Sequence, residues 1–340
     1  MMKIITTIDA IPKHLRGGAL AIGKFDGMHR GHTLIVARLR NHAQKRGLPT
    51  IVMTFDPLPA QILRPEPGIR PLSTLEQKTE LLAELEIDAM IVCPTDRAFL
   101  VRTAEDFFAN VIRKTLETRV IVEGRNFNFG HHRAGTPEKL QAWCRETGMT
   151  FEAVETIMHN GEPVSSSRIR TLLGEGNLAS ANELLSRPYR LTGTVVIGEQ
   201  RGRTLGFPTA NLAEIETIVP KPGLYAATLR HNDRPYAAAV HIGDNPTFGQ
   251  TPFKIEVFLI DFNGNLYGQT LRVDFLQRLR NIIQFATVDE LVAQMHRDIA
   301  GIRTLWTHAK TSFSIPQSRD GYGAVIPLDN SRGSEGYGSD

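Results

Sequence analysis

Four short apolar runs mark the first half of the chain, at 19–22, 50–55, 89–93 and 120–122. Each has the length of a strand buried on both faces of a parallel sheet. Between them the apolar residues return at helical spacing. In 33–46 these are Leu34, Val36, Ala37 and Leu39; in 104–117 they are Phe107, Phe108, Val111, Ile112 and Leu116. Strands alternating with helices predict an α/β fold, a parallel sheet with helices on both faces. Such sheets bind ligands beyond the carboxyl ends of their strands. The pattern changes near Arg187-Pro188. From there strand-like runs follow at 191–197, 224–230, 235–242, 254–261 and 266–275, parted by turn residues. His231-Asn232-Asp233-Arg234 reads as a hairpin connection and Asn263-Gly264 as a strong turn signal. A helix over about 288–306 completes what reads as a small antiparallel barrel closed by a helix. After His308 the chain is rich in Ser, Gly, Pro and Asp without period, and a mobile tail is expected.

Length and composition narrow the choice of partners. A chain of 340 residues suits two domains, placed here at 1–186 and 187–307 with the tail at 308–340. Hydrophobic residues are 41% and charged residues 22%, an ordinary globular mix. A net charge of +3 does not call for nucleic acid, because phosphate-bearing small ligands account for it equally well. Cys93 and Cys144 supply neither a disulfide framework nor a metal spacing, and a reducing, cytoplasmic setting is the simplest expectation. No apolar run reaches the roughly 18 residues of a membrane span. Residues 1–16 lack the apolar core of a signal peptide. The expected partners are small molecules rather than nucleic acid or membrane, with room for weak self-association.

Candidate chemistry lies where the predicted strands end. Strand 19–22 runs into Gly23-Lys24-Phe25-Asp26-Gly27-Met28-His29-Arg30-Gly31-His32 and then a helix. Backbone N–H groups at a helix start favour anions, and Gly31 lets a phosphate approach the backbone. His29 and His32 are three apart and share one side of the first turn, where two donors can stabilise charge developing on a phosphate. Without that context such a pair is usually a surface feature or a casual metal pair. Gly124-Arg125-Asn126-Phe127-Asn128-Phe129-Gly130 follows strand 120–122; Phe127 and Phe129 could flank a flat ring or belong to the core. In Val164-Ser165-Ser166-Ser167-Arg168-Ile169-Arg170 the serines read as helix caps that, with Arg170, could also hold a triphosphate.

The second concentration runs from Gly198 to Leu212. Gly202, Arg203 and Gly206 in a loop can wrap phosphate with backbone N–H groups. Thr209 and Asn211 sit two apart in an extended segment and point the same way. A hydroxyl and an amide oxygen suit Mg²⁺ beside phosphate oxygens. The Gly-Lys-Ser/Thr of a Walker loop is absent, and by composition alone the stretch could be a plain turn.

The first motif resembles the signature of the nucleotidyltransferase superfamily. Together with the Phe-x-Phe-Gly and Ser-Ser-Ser segments and Leu72-Ser73-Thr74-Leu75-Glu76-Gln77-Lys78, it resembles the FMN adenylyltransferase module of bacterial FAD synthetases. Gly202-Arg203-Thr204-Leu205-Gly206-Phe207-Pro208-Thr209-Ala210-Asn211-Leu212 resembles the hallmark of riboflavin kinases. So do Val219 to Ala226, Ile242-Gly243-Asp244-Asn245-Pro246-Thr247-Phe248 and Lys254-Ile255-Glu256-Val257. The likeness covers about residues 1–306. It implies a doubly wound parallel-sheet (Rossmann-like) nucleotidyltransferase domain followed by a six-stranded antiparallel β-barrel kinase domain. It also implies a two-step enzyme: ATP and Mg²⁺ turn riboflavin into FMN, then ATP adenylylates FMN to FAD and releases pyrophosphate.

By that resemblance Gly23, Phe25, Asp26, Gly31, Gly124, Asn126, Phe127, Phe129, Ser165, Ser166 and Ser167 bind nucleotide and flavin in the first domain, with His29, His32 and Arg170 catalytic. Gly202, Arg203, Gly206, Phe207, Pro208, Thr209 and Asn211 serve the second, Thr209 and Asn211 as metal ligands and Glu256 as the base. The plainer reading of Glu256 is a solvent-facing strand residue. The chain departs from the family pattern at Leu58, where a histidine is usual, which implies a slower or inactive adenylyltransferase. It departs again at Ile282-Ile283-Gln284, where an acid and a lysine are common near the flavin, and at His241 and Phe258, where Asn and His are frequent. A flavin-binding regulator without chemistry is a further alternative, opposed by Thr209, Asn211 and Glu256.

Overall fold

The computed structural model describes every residue except 64–68, 245–246, 248–252 and 313–340, and no side chains at 9, 201 and 308–312. Asn245, Pro246 and Phe248 of the third kinase-like motif, and most of the expected tail, therefore lie outside the described residues. The last helix runs Val288–Ser312, past the end expected from periodicity.

In the first half, β1 (Lys3–Ile5), β2 (Ala19–Ile22), β3 (Thr50–Asp56), β4 (Ala89–Pro94), β5 (Val120–Gly124) and β6 (Thr150–Val154) form one sheet in the order β1-β4-β3-β2-β5-β6. Every pairing in it is parallel. β2 shows why its sequence is apolar throughout. Leu20 and Ile22 enter one core cluster with Ile51, Met53 and Ile121, while Ala19 and Ala21 enter another with Val52, Val120 and Val122. A strand covered on both faces has no polar side to show. The chain proceeds from β2 to β3 on one side and reaches β5 on the other, so the order reverses between β2 and β5. That reversal leaves a crevice at their carboxyl ends. The helix Arg30–Arg46 follows β2 directly and starts three residues before the expected 33. The expected helix at 104–117 opens as Ala104–Asp106 and continues as a π-helix over Phe107–Thr115, burying Phe107, Phe108, Val111 and Ile112.

A small hairpin, β7 (Met158–His159) with β8 (Glu162–Pro163), precedes the second half. There β9 (Tyr189–Val196), β10 (Ala210–Ala213), β11 (Gly223–His231), β12 (Arg234–Gly243), β13 (Lys254–Leu259) and β14 (Thr270–Arg280) close a barrel in the order β10-β13-β12-β11-β14-β9. All its pairings are antiparallel. The β11–β12 turn is as tight as predicted: His231 pairs with Arg234, and Asn232 and Asp233 take φ of 48° and 59°. Two left-handed residues match the twist of a two-residue hairpin, which favours Asn and Asp there. Asn263-Gly264 is different. It does not join neighbours, because β13 lies between β10 and β12 whereas β14 lies between β11 and β9. β14 accordingly starts at Thr270, and Leu266 is drawn into the barrel core cluster instead.

The halves share that cluster. Ile169, Leu173, Leu178, Leu184 and Leu185, from the helices Ser166–Glu175 and Leu178–Leu185, pack with barrel residues such as Tyr189, Leu229 and Phe275. Polar contacts border it. Gln77 Nε2 donates to Thr192 Oγ1 at 2.8 Å, and Arg272 pairs with Glu76 at 2.7 Å and Glu80 at 2.8 Å.

Candidate functional sites

A cavity of about 330 Å³ opens at the carboxyl ends of β2 and β5, where the sheet order reverses. Every residue expected at this site lines it except Phe129. Its floor is a strained loop. Phe25, Gly27 and Met28 take φ of 45°, 77° and 42°. Such backbone persists at a functional site when the surroundings over-determine it. Asp26, 1% exposed, accepts from the Leu72 N–H at 2.8 Å and the Ser73 N–H at 3.4 Å, and pairs with Arg170. Burial raises the Asp26 carboxyl while Arg170 and the two amides oppose the rise. The Gly27 N–H donates to Ser73 Oγ at 3.0 Å, and a Cβ at Gly27 would meet Leu72 at 2.9 Å.

This loop aims the histidines. His29 caps the helix Arg30–Arg46, its carbonyl accepting from the Thr33 N–H at 3.0 Å. His32 stacks on it, ring centroids 3.7 Å apart and planes 18° apart, and Phe25 tilts against His32 at 5.2 Å. Gly31 has a second role here: a Cβ on it would come within 3.2 Å of the His29 ring. Burial, with Arg187 adding, lowers His29 to about 4; burial and the neighbouring His29 put His32 well below its ordinary value. Both rings are thus neutral near pH 7, each with one N–H to donate. Nδ1 of each is buried without a hydrogen-bond partner among the described residues, so both rings keep unused capacity.

The geometry adds partners to two of these expectations and changes a third. Arg170 already has partners: it pairs with Asp26, and its Nε donates to the Arg70 carbonyl at 3.0 Å. Two of the serine hydroxyls also have partners within the chain. Ser165 caps its helix, accepting from the Arg168 N–H at 3.2 Å, and Ser166 donates to the Asp26 carbonyl at 2.9 Å. Phe127 and Phe129 do not flank a slot; they stack on each other at 5.4 Å, too close to admit a ring between them. Phe129 packs on Phe107 and Trp143 in the core, leaving Phe127 to line the cavity.

Other lining residues had drawn no notice. Glu123 is 2% exposed and accepts the Ile22 N–H on its carboxylate. The β2–β5 ladder runs no further than Leu20 opposite Ile121, so this carboxyl takes over where the strands part. Burial holds it well above the ordinary carboxyl range. A charged residue in an apolar strand was the available signal. Lys24 sits inside the first motif, its ammonium lowered by burial and by Arg170 and Arg133 nearby. Leu58, 5% exposed, also faces this cavity.

The second cavity, about 130 Å³, lies outside the barrel wall, between β12 and β13, the loop before β10 and the helix Val288–Ser312. Ile255, Val257 and Leu259 of β13 point into the core, so Glu256 and Phe258 point outward into the cavity. Glu256 lies opposite Asn211 on β10 and His241 on β12. His241 Nε2 is 2.9 Å from the Asp244 carbonyl. Thr209, Gly202 and Phe207 line the cavity, and Phe207 meets Phe258 at 5.7 Å and His296 at 5.1 Å. Gly202 has no room for a side chain, since a Cβ would meet the Phe207 carbonyl at 2.3 Å.

Asn211, Arg203, Gly206 and Pro208 do not line this cavity. The loop winds through a helical turn, Arg201–Thr204, which leaves Arg203, Gly206 and Pro208 exposed. The Asn211 amide lies over Gly198, where a Cβ would approach it to 2.2 Å. Lys254 ties the loop to β13 through Glu199 at 2.8 Å, and Arg280 ties β14 to the last helix through Asp298 at 2.8 Å. Ile282 packs over Gly243, and Ile283 is exposed.

Residues 11–168 match the FAD synthetase family and residues 185–306 the riboflavin kinase family. A bifunctional riboflavin kinase/FMN adenylyltransferase of Escherichia coli (strain K12) is 35% identical over 299 residues, 87% of this chain and 96% of that protein. One from Listeria monocytogenes is 34% identical over 284 residues, 82% and 89% of the two chains. A crystal structure described as a macrolide-efflux protein from Streptococcus pneumoniae superimposes with a TM-score of 0.79 at 30% identity, covering 89% of this chain and 98% of that one. Among the described residues no helix is long and apolar enough to cross a membrane.

Proposed function

The chain belongs to the bifunctional riboflavin kinase/FMN adenylyltransferase family, and from that premise we propose that its two cavities work in succession. At the barrel, riboflavin takes a phosphoryl group from ATP to give FMN. At the sheet, FMN takes an adenylyl group from a second ATP to give FAD and pyrophosphate. The observation that carries this reading is the pairing of two separate cavities, one beside a strained loop with stacked neutral histidines, the other beside an outward carboxylate and a threonine hydroxyl.

In the barrel cavity, Glu256 accepts the proton of the riboflavin 5′-hydroxyl as it attacks the γ-phosphate. Gly202 lets the loop fold back onto the Phe207 carbonyl, and Phe207 with Phe258 forms an apolar wall. Among the described residues no group of three or more His, Cys, Asp or Glu could hold a metal by itself. A hydroxyl and an amide oxygen, Thr209 and Asn211, fit Mg²⁺ that arrives with nucleotide oxygens, and Asn211 would reach it by turning from Gly198. The bound ion would neutralise charge on the transferred phosphate.

In the sheet cavity the FMN phosphate is already nucleophilic and needs no base. His29 and His32 donate neutral N–H groups to the α-phosphate as charge builds there. Lys24 adds positive charge, and Arg170 acts through Asp26 to hold the loop. Leu58 supplies neither a donor nor a charge beside them, which favours a second reading: a fast kinase with a slow adenylyltransferase. The compartment is proposed as cytoplasmic, in keeping with the free buried thiols of Cys93 and Cys144, and the partners as riboflavin, FMN and ATP.

Selective variants test the division of labour. Glu256→Gln is expected to lower FMN formation by about 10²–10⁴-fold and leave conversion of supplied FMN intact. His29→Ala with His32→Ala is expected to do the reverse, by about 10²–10³-fold. Unchanged FMN formation in the first variant would remove Glu256 as the base; unchanged FAD formation in the second would remove the histidines from the adenylyl step.

A further inference from the structure

The loop that aims His29 is held on its outer side from the other half of the chain. Phe25 and Met28, which carry side chains, both take positive φ, and a free loop would relax toward ordinary backbone. Asp26 and Ser73 secure its inner side. On the outer side Arg187 donates through Nη1 to the Met28 carbonyl at 2.9 Å and through Nη2 to the Gly27 carbonyl. Its Nη1 also reaches the Leu185 carbonyl at 3.2 Å, which anchors the guanidinium to the end of the helix Leu178–Leu185. A flat, forked cation is the side chain suited to gripping two successive carbonyls.

Arg187 stands two residues before β9, at the entry to the barrel. It lines the small cavity between the halves, with Gly27 and Leu72, and not the cavity of His29 and His32. Its hydrogen bonds reach the reaction through the loop, and its charge helps keep His29 and His32 neutral. Met28 immediately precedes His29, the capping residue of the helix. Rotation of the Gly27-Met28 peptide would shift the His29 ring and the His32 ring stacked on it.

We infer that Arg187 is a positioning residue for adenylyl transfer, contributed from the kinase end of the chain, and that it fixes the strained Gly27-Met28 backbone so that His29 and His32 meet the phosphate in line. The inference rests on the reading of the sheet cavity as the adenylylating site. A misplaced donor loses interactions made in the transition state more than those made with bound substrate. Arg187 thereby makes the integrity of the barrel junction a condition of the second reaction.

The test uses the full chain and supplied FMN, ATP and Mg²⁺, with FAD followed by chromatography. Arg187→Met keeps much of the apolar stem and removes the fork; Arg187→Lys restores charge without it. The expected result is a kcat for FAD formation lowered at least about tenfold in Arg187→Met, with KM for FMN and ATP and the rate of FMN formation within about twofold of the unaltered protein. Arg187→Lys is expected to fall between the two, since a single ammonium cannot grip both carbonyls. An unaltered kcat in Arg187→Met overturns the inference. So does a fall in both activities together with a lower melting temperature in both variants, which marks an arginine that only supports folding. If the unaltered protein itself makes no FAD, the reading of the sheet cavity fails, a result distinct from a fully active variant.

Discussion

At the scale of single residues, the sheet cavity rests on groups whose ordinary charge has been suppressed. His29 is held to about 4 and His32 well below its usual value, so neither contributes a full positive charge near pH 7. Two stacked imidazolium rings 3.7 Å apart would repel, whereas two neutral rings can each donate to one phosphate. Glu123 is the opposite case, a carboxyl that burial raises well above its ordinary range while it accepts the Ile22 N–H. Its raised folded value means the folded chain binds a proton that the unfolded chain has released above about pH 4.5. Stability linked to Glu123 is therefore full below that point and is lost as pH rises toward the folded value. Gln reproduces the neutral acid and its acceptor oxygen. Glu123→Gln is expected to flatten the loss of stability that sets in above about pH 4.5, measured as melting temperature against pH. A variant that loses stability with pH as steeply as the unaltered chain would show that Glu123 is not the group responsible.

The same residues show how much of the site could be read in advance. The histidines stood out as a pair three apart at a glycine-rich strand end, while Asp26 and Glu256 were named through the family motifs. Their partners were not. Asp26 and Arg170 are 144 positions apart and Ile22 and Glu123 are 101 apart, and only the sheet order brings them together. Phe127 and Phe129 illustrate an alternative that spacing could not settle: two aromatics around one residue can open a slot or close on each other, and here they close.

At the scale of elements, the central strands announced themselves and the edges did not. β2 to β5 are buried on both faces and so carry unbroken apolar runs. β1 contains Lys3 and is mostly exposed, and β6 is largely half-buried, so neither makes a run. The Asn232-Asp233 hairpin was legible because its turn residues answer to local backbone geometry alone. The Asn263-Gly264 turn carries the same kind of signal yet serves a longer connection, since pairing partners are chosen by barrel closure. The helix that walls the kinase cavity offers a direct check. Gly301 lies within Val288–Ser312, exposed, and a Cβ added to it would meet no neighbouring atom within 4 Å. Gly301→Ala is expected to stabilise the chain by about 1 kcal/mol through helix propensity, read from denaturant unfolding, with FMN formation unchanged. Destabilisation there would mean that the helix face at Gly301 packs against a neighbour rather than facing open space.

At the scale of the whole molecule, the two halves are joined by more than a linker. One apolar cluster runs from Leu72 and Val164 through the helices Ser166–Glu175 and Leu178–Leu185 into the barrel. Arg272 and Gln77 add polar links, and Arg187 reaches from the junction to the loop beneath His29. On the proposed assignment, the product of the barrel cavity is the phosphorylated acceptor that the sheet cavity requires, and the two cavities share no lining residue. On that assignment, Leu58, which lines the sheet cavity, would bear on the relative speed of the two steps.

The most direct measurement is a time course of riboflavin, ATP and Mg²⁺ with the full chain, resolving flavins and nucleotides by chromatography. The account predicts FMN and ADP first, then FAD and pyrophosphate as FMN is consumed, with FMN accumulating if Leu58 slows the second step. A flavin pool that stays as riboflavin while ATP remains intact, or FMN that never becomes FAD at any enzyme concentration, would contradict it.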